Sequence, residues 1–133
     1  MAKQSQIIQV NAEREARFGL SAMVRAGDTL YVSGLLSVDD DFNLIGAGDM
    51  AAQIGRIYDR LEAALAVAGA DLTNVVSEVS YTTDVQALAE ASHVRDQRYQ
   101  RAKAAPPVAT AVEIRRLFLP GALLELVATA YMG

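Results

Sequence analysis

Cysteine and tryptophan are absent from these 133 residues, and histidine occurs once, at His93. Without cysteine there is no disulfide, no thiolate nucleophile, no cysteine-held iron–sulfur cluster and no cysteine zinc site. One histidine cannot build a three-histidine metal centre, and it leaves at most one imidazole base. Apolar runs are short: none approaches the roughly 20 residues of a membrane span. The opening stretch MAKQSQIIQVNAEREAR turns charged after a brief apolar patch, unlike a secretory leader. These absences predict a cytoplasmic protein with no membrane partner.

What is present describes a folded domain. The chain is 52% hydrophobic and 21% charged, too apolar for disorder and too short for two cores, so residues 1–133 are expected to form one domain. A net charge of −4 argues against nucleic acid, whose partners are normally strongly basic. The densest cationic stretch, RDQRYQRAK at 95–103, has the composition of a phosphate-contacting segment with one stacking ring. It reads better as the solvated face of a helix. Gly46-Ala47-Gly48-Asp49 lacks the lysine and spacing of a phosphate loop and reads as a turn feeding a helix.

Apolar, β-branched runs at 6–10, 21–25, 29–33, 75–83, 108–117 and 123–131 predict six strands. Gly27-Asp28 marks a hairpin turn between the second and third. Asp49 is a plausible N-cap for a helix in which Ile54, Ile57, Leu61, Leu65 and Ala68 share one face while Arg56, Asp59, Arg60 and Glu62 largely face away, and Gly69 closes it. Asp84 caps a second helix, expected to run continuously to about Ala102 with Leu88, Ala91 and Tyr99 on one side. Pro106-Pro107 stops it. The order β-β-β-α-β-α-β-β predicts an α+β domain, one sheet with two helices on one face. The last two strands are apolar on both alternations, so the other face needs a cover. No segment is left over to supply one, and self-association through that face is the economical solution.

Glu125 stands inside the apolar run LLELVATAY. A lone carboxylate there must be paired, hydrogen-bonded or at an interface. The commoner outcome is a salt bridge across a subunit contact, to Arg115 or Arg116. The chemical alternative is an acid/base of raised pKa that orients a water. Glu113 and Arg115, two apart on a strand, read as a surface ion pair. His93 sits among polar helix neighbours and reads as exposed. Ser33-Gly34 ends a strand where glycine permits close approach, and a serine nucleophile there would need a base that nothing places beside it.

The segments FGLSAMVRAGDTLYVSG, GDMAAQ, LEAALAVAGADLTNVVSEVSYTTD, PPVATAVEIRRL and LLELVATA fall in an order and spacing that resembles the Rid, or YjgF-like, family of reactive intermediate deaminases. The specific parts are Ser33-Gly34, Gln53 early in its helix, the AGA turn before a Val-Val strand, and Glu125. The resemblance implies a chorismate-mutase-like fold with a mixed sheet, a homotrimer with clefts between subunits, and hydrolysis of small enamines or imines to oxo acids and ammonia without metal or cofactor.

Carried over position by position, the resemblance implies a catalytic Glu125 and a ligand site at Ser33, Gly34, Leu35, Leu20, Ser92, Ala109, Thr110 and Ala111. Three polar grips of that pattern are apolar here. Ala109 stands where deaminating members carry the arginine that forks onto a substrate carboxylate. Leu20 replaces an aromatic hydroxyl, and Leu35 a glutamine. The sequence thus resembles an arginine-lacking branch for which ordinary 2-aminoacrylate deamination is not expected to carry over. Arg25, Arg115 or Arg116 of a neighbouring subunit are the candidates to replace the lost cation. Two other functions compete: a non-catalytic trimer that binds a small metabolite in the same clefts, and a ribonuclease, which the acidic charge disfavours.

Overall fold

A computed structural model describes residues 5–133. Along the chain run β1 (Ser5–Ile8), α1 (Ala12–Phe18), β2 (Met23–Ala26), β3 (Thr29–Val32), α2 (Met50–Val67), β4 (Val75–Thr82), α3 (Val85–Glu90), α4 (His93–Arg101), β5 (Val108–Glu113) and β6 (Leu124–Tyr131). The strands form one sheet in the order β1-β2-β3-β6-β4-β5. It is mixed: β4 and β5 run parallel, and every other neighbouring pair runs antiparallel. This is the expected α+β architecture, one mixed sheet with its helices on one face.

The local signals explain most boundaries. Gly27 takes φ +61° in the β2–β3 turn, a conformation that costs glycine nothing. The Asp49 carboxylate accepts the Ala52 N–H at 3.0 Å and starts α2. At its other end Gly69 N–H reaches Ala66 O and Ala70 N–H reaches Leu65 O, the paired bonds of a Schellman cap. Between these caps Ile54, Ile57, Leu61 and Leu65 pack into one core with Leu124, Leu126, Ala128 and Ala130 of β6.

Four expectations need correction. Residues 12–18 form a helix that the sequence reading passed over as merely charged. Asn11 Oδ1 caps it by accepting the Arg14 N–H, and Gly19 closes it in the left-handed region. The continuous second helix is broken: α3 ends at Glu90, and α4 begins at His93. Strand β5 stops at Glu113, so Glu113 and Arg115 do not share a strand. Glu113 Oε1 instead accepts the Val85 N–H at the start of α3. Finally, residues 95–103 are not simply a solvated face. Arg98 pairs with Asp59 at 2.8 Å and Glu62 at 2.9 Å, and Tyr99 is buried.

β4 reverses its apparent polarity. Val79 and Tyr81, its apolar alternation, lie on the face away from the helices, while Glu78 and Thr82 are buried beneath them. The buried carboxylate is fully engaged. Its Oε2 accepts from Tyr58 Oη at 2.5 Å and Tyr99 Oη at 2.7 Å, and its Oε1 from Arg95 Nε at 2.8 Å. Burial, then the charge of Glu78, raises both tyrosines far above their ordinary range. They therefore stay protonated and donate, which lets the sheet carry a charge beneath α2 and α4.

The opposite face has little cover. Among the described residues β5 is exposed throughout, Val108 at 73%, with Tyr81 exposed beside it on β4 and Tyr131 exposed at the end of β6. Both alternations of β5 are open, whereas the sequence predicts helices over one of its faces.

Candidate functional site

A cavity of about 640 Å³ opens where α1, the end of β3, α2 and β6 meet. Alternation along β6 sends Leu124 and Leu126 to the core and turns Glu125 the other way, onto the cavity wall beside Ser33 and Gly34. Gly34 leaves room there for the carboxylate. A Cβ on it would stand 2.9 Å from Glu125 Cδ and would overlap the carboxylate. Leu35 fixes this juncture from the backbone: its N–H donates to Leu126 O at 2.8 Å, and Leu126 N–H donates to Leu35 O at 3.0 Å.

Glu125 is half-buried and, among the described residues, makes no side-chain hydrogen bond or ion pair. Arg115 and Arg116 of its own chain are exposed and do not reach it. Burial raises its pKa above the ordinary carboxyl value. A carboxyl group raised in this way holds its proton more readily than a solvated one, as an acid/base group must.

The expected site residues divide into two sets. Leu20, Ser33, Gly34, Leu35 and Glu125 line the one cavity. Ser92 does not join them: it lies exposed at the break between α3 and α4, with no side-chain capping bond. Ala109, Thr110 and Ala111 are also elsewhere, on the edge strand β5 with β4 between them and β6. Register places Tyr81 opposite both Glu125 and Val112. Thr110 and Val112 therefore share the face of Glu125, while the side chains of Ala109 and Ala111 point to the other face. Within one chain, Ala109 and Glu125 do not meet. Arg25 is also remote from the cavity, turned back on its own hairpin with Nε donating to Gly27 O at 3.0 Å.

Gln53, which the resemblance singled out, is a clamp rather than a ligand group. Fully buried, it donates to Gly46 O and Gly121 O and accepts from Leu123 N–H, joining three segments. Glu15, also on the cavity wall, is committed in the same way. Burial works to raise its pKa, but the N–H groups of Ala22, Asn11 and Val10 outweigh that and hold it below the ordinary value.

Sequence reasoning missed the cavity's charged wall. Arg14, Arg56 and Arg60 all border it, although the helical pattern had assigned Arg56 and Arg60 to a face turned away. The available signal was the spacing of Arg56 and Arg60, four residues apart on one helix, a like-charge pair that opposes helix formation. His93 lies exposed, as expected, and among the described residues no three His, Cys, Asp or Glu side chains converge as metal ligands. No described helix is long and apolar enough to cross a membrane.

The chain is similar to proteins of one family over most of its length. A RutC family protein of Pyrococcus abyssi is 31% identical over 111 residues, 84% of each chain. A solved member of the YjgF/YER057c/UK114 family from Mycobacterium tuberculosis is 33% identical, superposes with a TM-score of 0.77, and is matched over 96% of this chain and 98% of its own. The Escherichia coli protein TdcF, solved with bound serine, shares the fold at 21% identity and a TM-score of 0.78, over 85% of this chain and 87% of its own. The family model described as Endoribonuclease L-PSP matches residues 11–132. With this match across nearly the whole domain, the chain belongs to the Rid, or YjgF-like, family.

Proposed function

We propose that this protein hydrolyses a small enamine or imine in clefts shared between copies of the chain, with Glu125 as the proton-transfer group. The observation that carries this reading is Glu125 itself, half-buried on a cavity wall with a raised pKa and no partner among the described residues. An enamine first tautomerises to its imine. The Glu125 carboxylate then takes a proton from water as the water oxygen bonds to the imine carbon, and that proton passes to nitrogen. In the resulting carbinolamine the hydroxyl gives its proton through Glu125 to the nitrogen as the C–N bond breaks, so neutral ammonia leaves, the carbonyl remains and one water is consumed for each ammonia released. Ser33 and the free backbone of 109–111 orient the ligand.

The split of the expected site supports a shared cleft. Ala109 and Glu125 project to opposite faces of one sheet, so only a second copy brings the β5 edge against Glu125. A closed ring of three copies in the cytoplasm would also cover the exposed sheet face. That a relative of the same fold holds serine supports a polar small-molecule ligand.

The test is purified protein with 2-iminopropionate, following imine loss by trapping, for the wild type, Glu125→Gln and Ala109→Arg. Weak wild-type turnover lost in Glu125→Gln and raised in Ala109→Arg is the expected result. Turnover unchanged by Glu125→Gln overturns the assignment. The competing reading, a metabolite-binding trimer without turnover, rests on the three lost polar grips at Leu20, Leu35 and Ala109. Thermal stabilisation by a ligand that is never consumed would establish it. RNA cleavage has less support, because Arg95 and Arg98 are taken up by Glu78, Asp59 and Glu62 rather than offered to phosphates.

A further inference from the structure

Three guanidinium groups stand along one wall of the cavity, and each is anchored by a carbonyl of the loop after β3. Arg14 Nη2 donates to Asp39 O at 2.5 Å, Arg56 Nε to Val38 O at 2.8 Å, and Arg60 Nη1 to Leu36 O at 2.7 Å. Each anchor uses one of a guanidinium's five N–H groups. Among the described residues none of the three is in an ion pair, whereas Arg95 and Arg98 both are. Arg14 Nε is buried without any hydrogen-bond partner.

None of the nearby acids forms an ion pair with this cluster. Asp59 is held by Arg98, Glu15 by three backbone N–H groups, and Asp39, which feels the charge of Arg14, by the N–H groups of Asp41 and Asn43 and the Asn43 side-chain amide, while Asp40 is exposed. Burial, then the positive charges of Arg14 and Arg56, push Arg60 down to about 10, with Asp40 acting the other way. Arg60 remains charged at neutral pH, in a site that is short of negative charge. Burial raises the pKa of Glu125, and the contacts of the three guanidinium groups are with carbonyls of the loop rather than with its carboxylate. The cationic wall and the proton-transfer group are separate poles.

An apolar wall completes the site. Phe18 lies one turn beyond Arg14 on α1, 4.8 Å from Phe42 and 6.1 Å from Phe118 between ring centroids, and all three rings border the cavity. Phe118 is 74% exposed, a large apolar surface left open at the mouth.

We infer that Arg14, Arg56 and Arg60 form an oxyanion-binding pole, so that the ligand of this cavity is an organic acid carrying a carboxylate or phosphate on an apolar, ring-sized body. The inference rests on reading this cavity as the ligand site. It supplies from the same chain, on different helices, the cation that Ala109 cannot provide. A wall of guanidinium forks suits carboxylate or phosphate geometry. The volume suits a body larger than a three-carbon acid. Two arginines four apart on α2 oppose their own helix, a local conflict of the kind that marks functional sites.

The test is isothermal titration calorimetry at neutral pH with phenylacetate, phenyl phosphate and the neutral isostere benzyl alcohol, at low and high sodium chloride. At least one anion is expected to bind about tenfold or more tightly than the alcohol, with the gap narrowing in salt. Arg56→Gln and Arg60→Gln should each weaken the anion about tenfold and leave benzyl alcohol unchanged, the alcohol reporting that the cavity is intact. Equal binding of all three probes by the wild type overturns the anion pole while leaving a ligand cavity. Imine hydrolysis without binding of any probe also overturns the pole and spares the proposed reaction. Charge-dependent binding without imine loss upholds the pole and removes the reaction.

Discussion

A methyl group on Gly34 would occupy the space of the Glu125 carboxylate, 2.9 Å from its Cδ. The segment that leaves β3 carries glycine at position 34, then, because β6 places a carboxylate against it. Gly34 does not adopt the left-handed backbone, so the constraint is space alone.

Gly34→Ala separates catalysis from folding. The obstructing atoms belong to the far end of a flexible side chain, so Glu125 swings aside and stability changes by about 1 kcal/mol or less. Displacing the proton-transfer group by an ångström or more is expected to lower imine turnover about a hundredfold. Thermal melting alongside the trapping assay checks both. A large melting shift with unchanged turnover would contradict the close packing of these two residues.

Glu125→Gln carries a pH signature. Burial raises the carboxyl pKa in the folded chain above the unfolded value of 4.5, so the folded state holds this proton more tightly. The resulting stability is complete below the unfolded pKa and is lost as pH rises through the folded pKa. Glutamine carries no such dependence. The variant is expected to gain stability relative to the wild type between about pH 4 and about pH 7. Urea midpoints at the two ends measure this, and a constant difference would show that Glu125 is not desolvated.

The Glu78 cluster predicts a much larger, purely structural effect. Glu78→Ala strands two buried hydroxyls and takes one of two carboxylate partners from the partly exposed Arg95, and is expected to cost about 3 kcal/mol. Tyr99→Phe removes one donor and leaves Tyr58 and Arg95 in place, at about 1–2 kcal/mol. Urea denaturation distinguishes the two, and a small loss for Glu78→Ala would mean that water satisfies the cluster.

The sheet and α2 were legible because their signals are local. Gly27-Asp28 turns a hairpin, Asp49 and Gly69 cap α2, and the spacing of Ile54, Ile57, Leu61 and Leu65 fixes its inner face. α1 was legible in principle: Asn11 and Gly19 bracket it with the same capping chemistry, but its few apolar residues gave no periodic stripe. The polarity of β4 has a tertiary cause. Its apolar alternation lies on the open face, and the covered face carries Glu78, whose partners Tyr58, Tyr99 and Arg95 come from α2 and α4.

The site divides along the same line. Ser33, Gly34 and Glu125 came from a pattern of matched positions, and the structure brings them together. Arg14, Arg56 and Arg60 could not be assembled that way. Each is anchored by a carbonyl of the loop after β3, and a carbonyl leaves no trace in residue identity. Arg25, Arg115 and Arg116, the candidates for a replacement cation, do not line the cavity, whereas Arg14, Arg56 and Arg60 do.

The exposed strand β5 has a consequence for the handling of the isolated chain. Its outer edge presents unpaired N–H and C=O groups, and such an edge recruits any extended segment that fits, correct or not. Pro106 and Pro107 stand immediately ahead of Val108, and neither carries an N–H to donate. The recruiting edge is thereby truncated at one end to about the six residues of β5 itself. Those two prolines act as gatekeepers against runaway strand addition, and replacing them would lengthen the sticky edge of a molecule whose flat apolar face already favours aggregation.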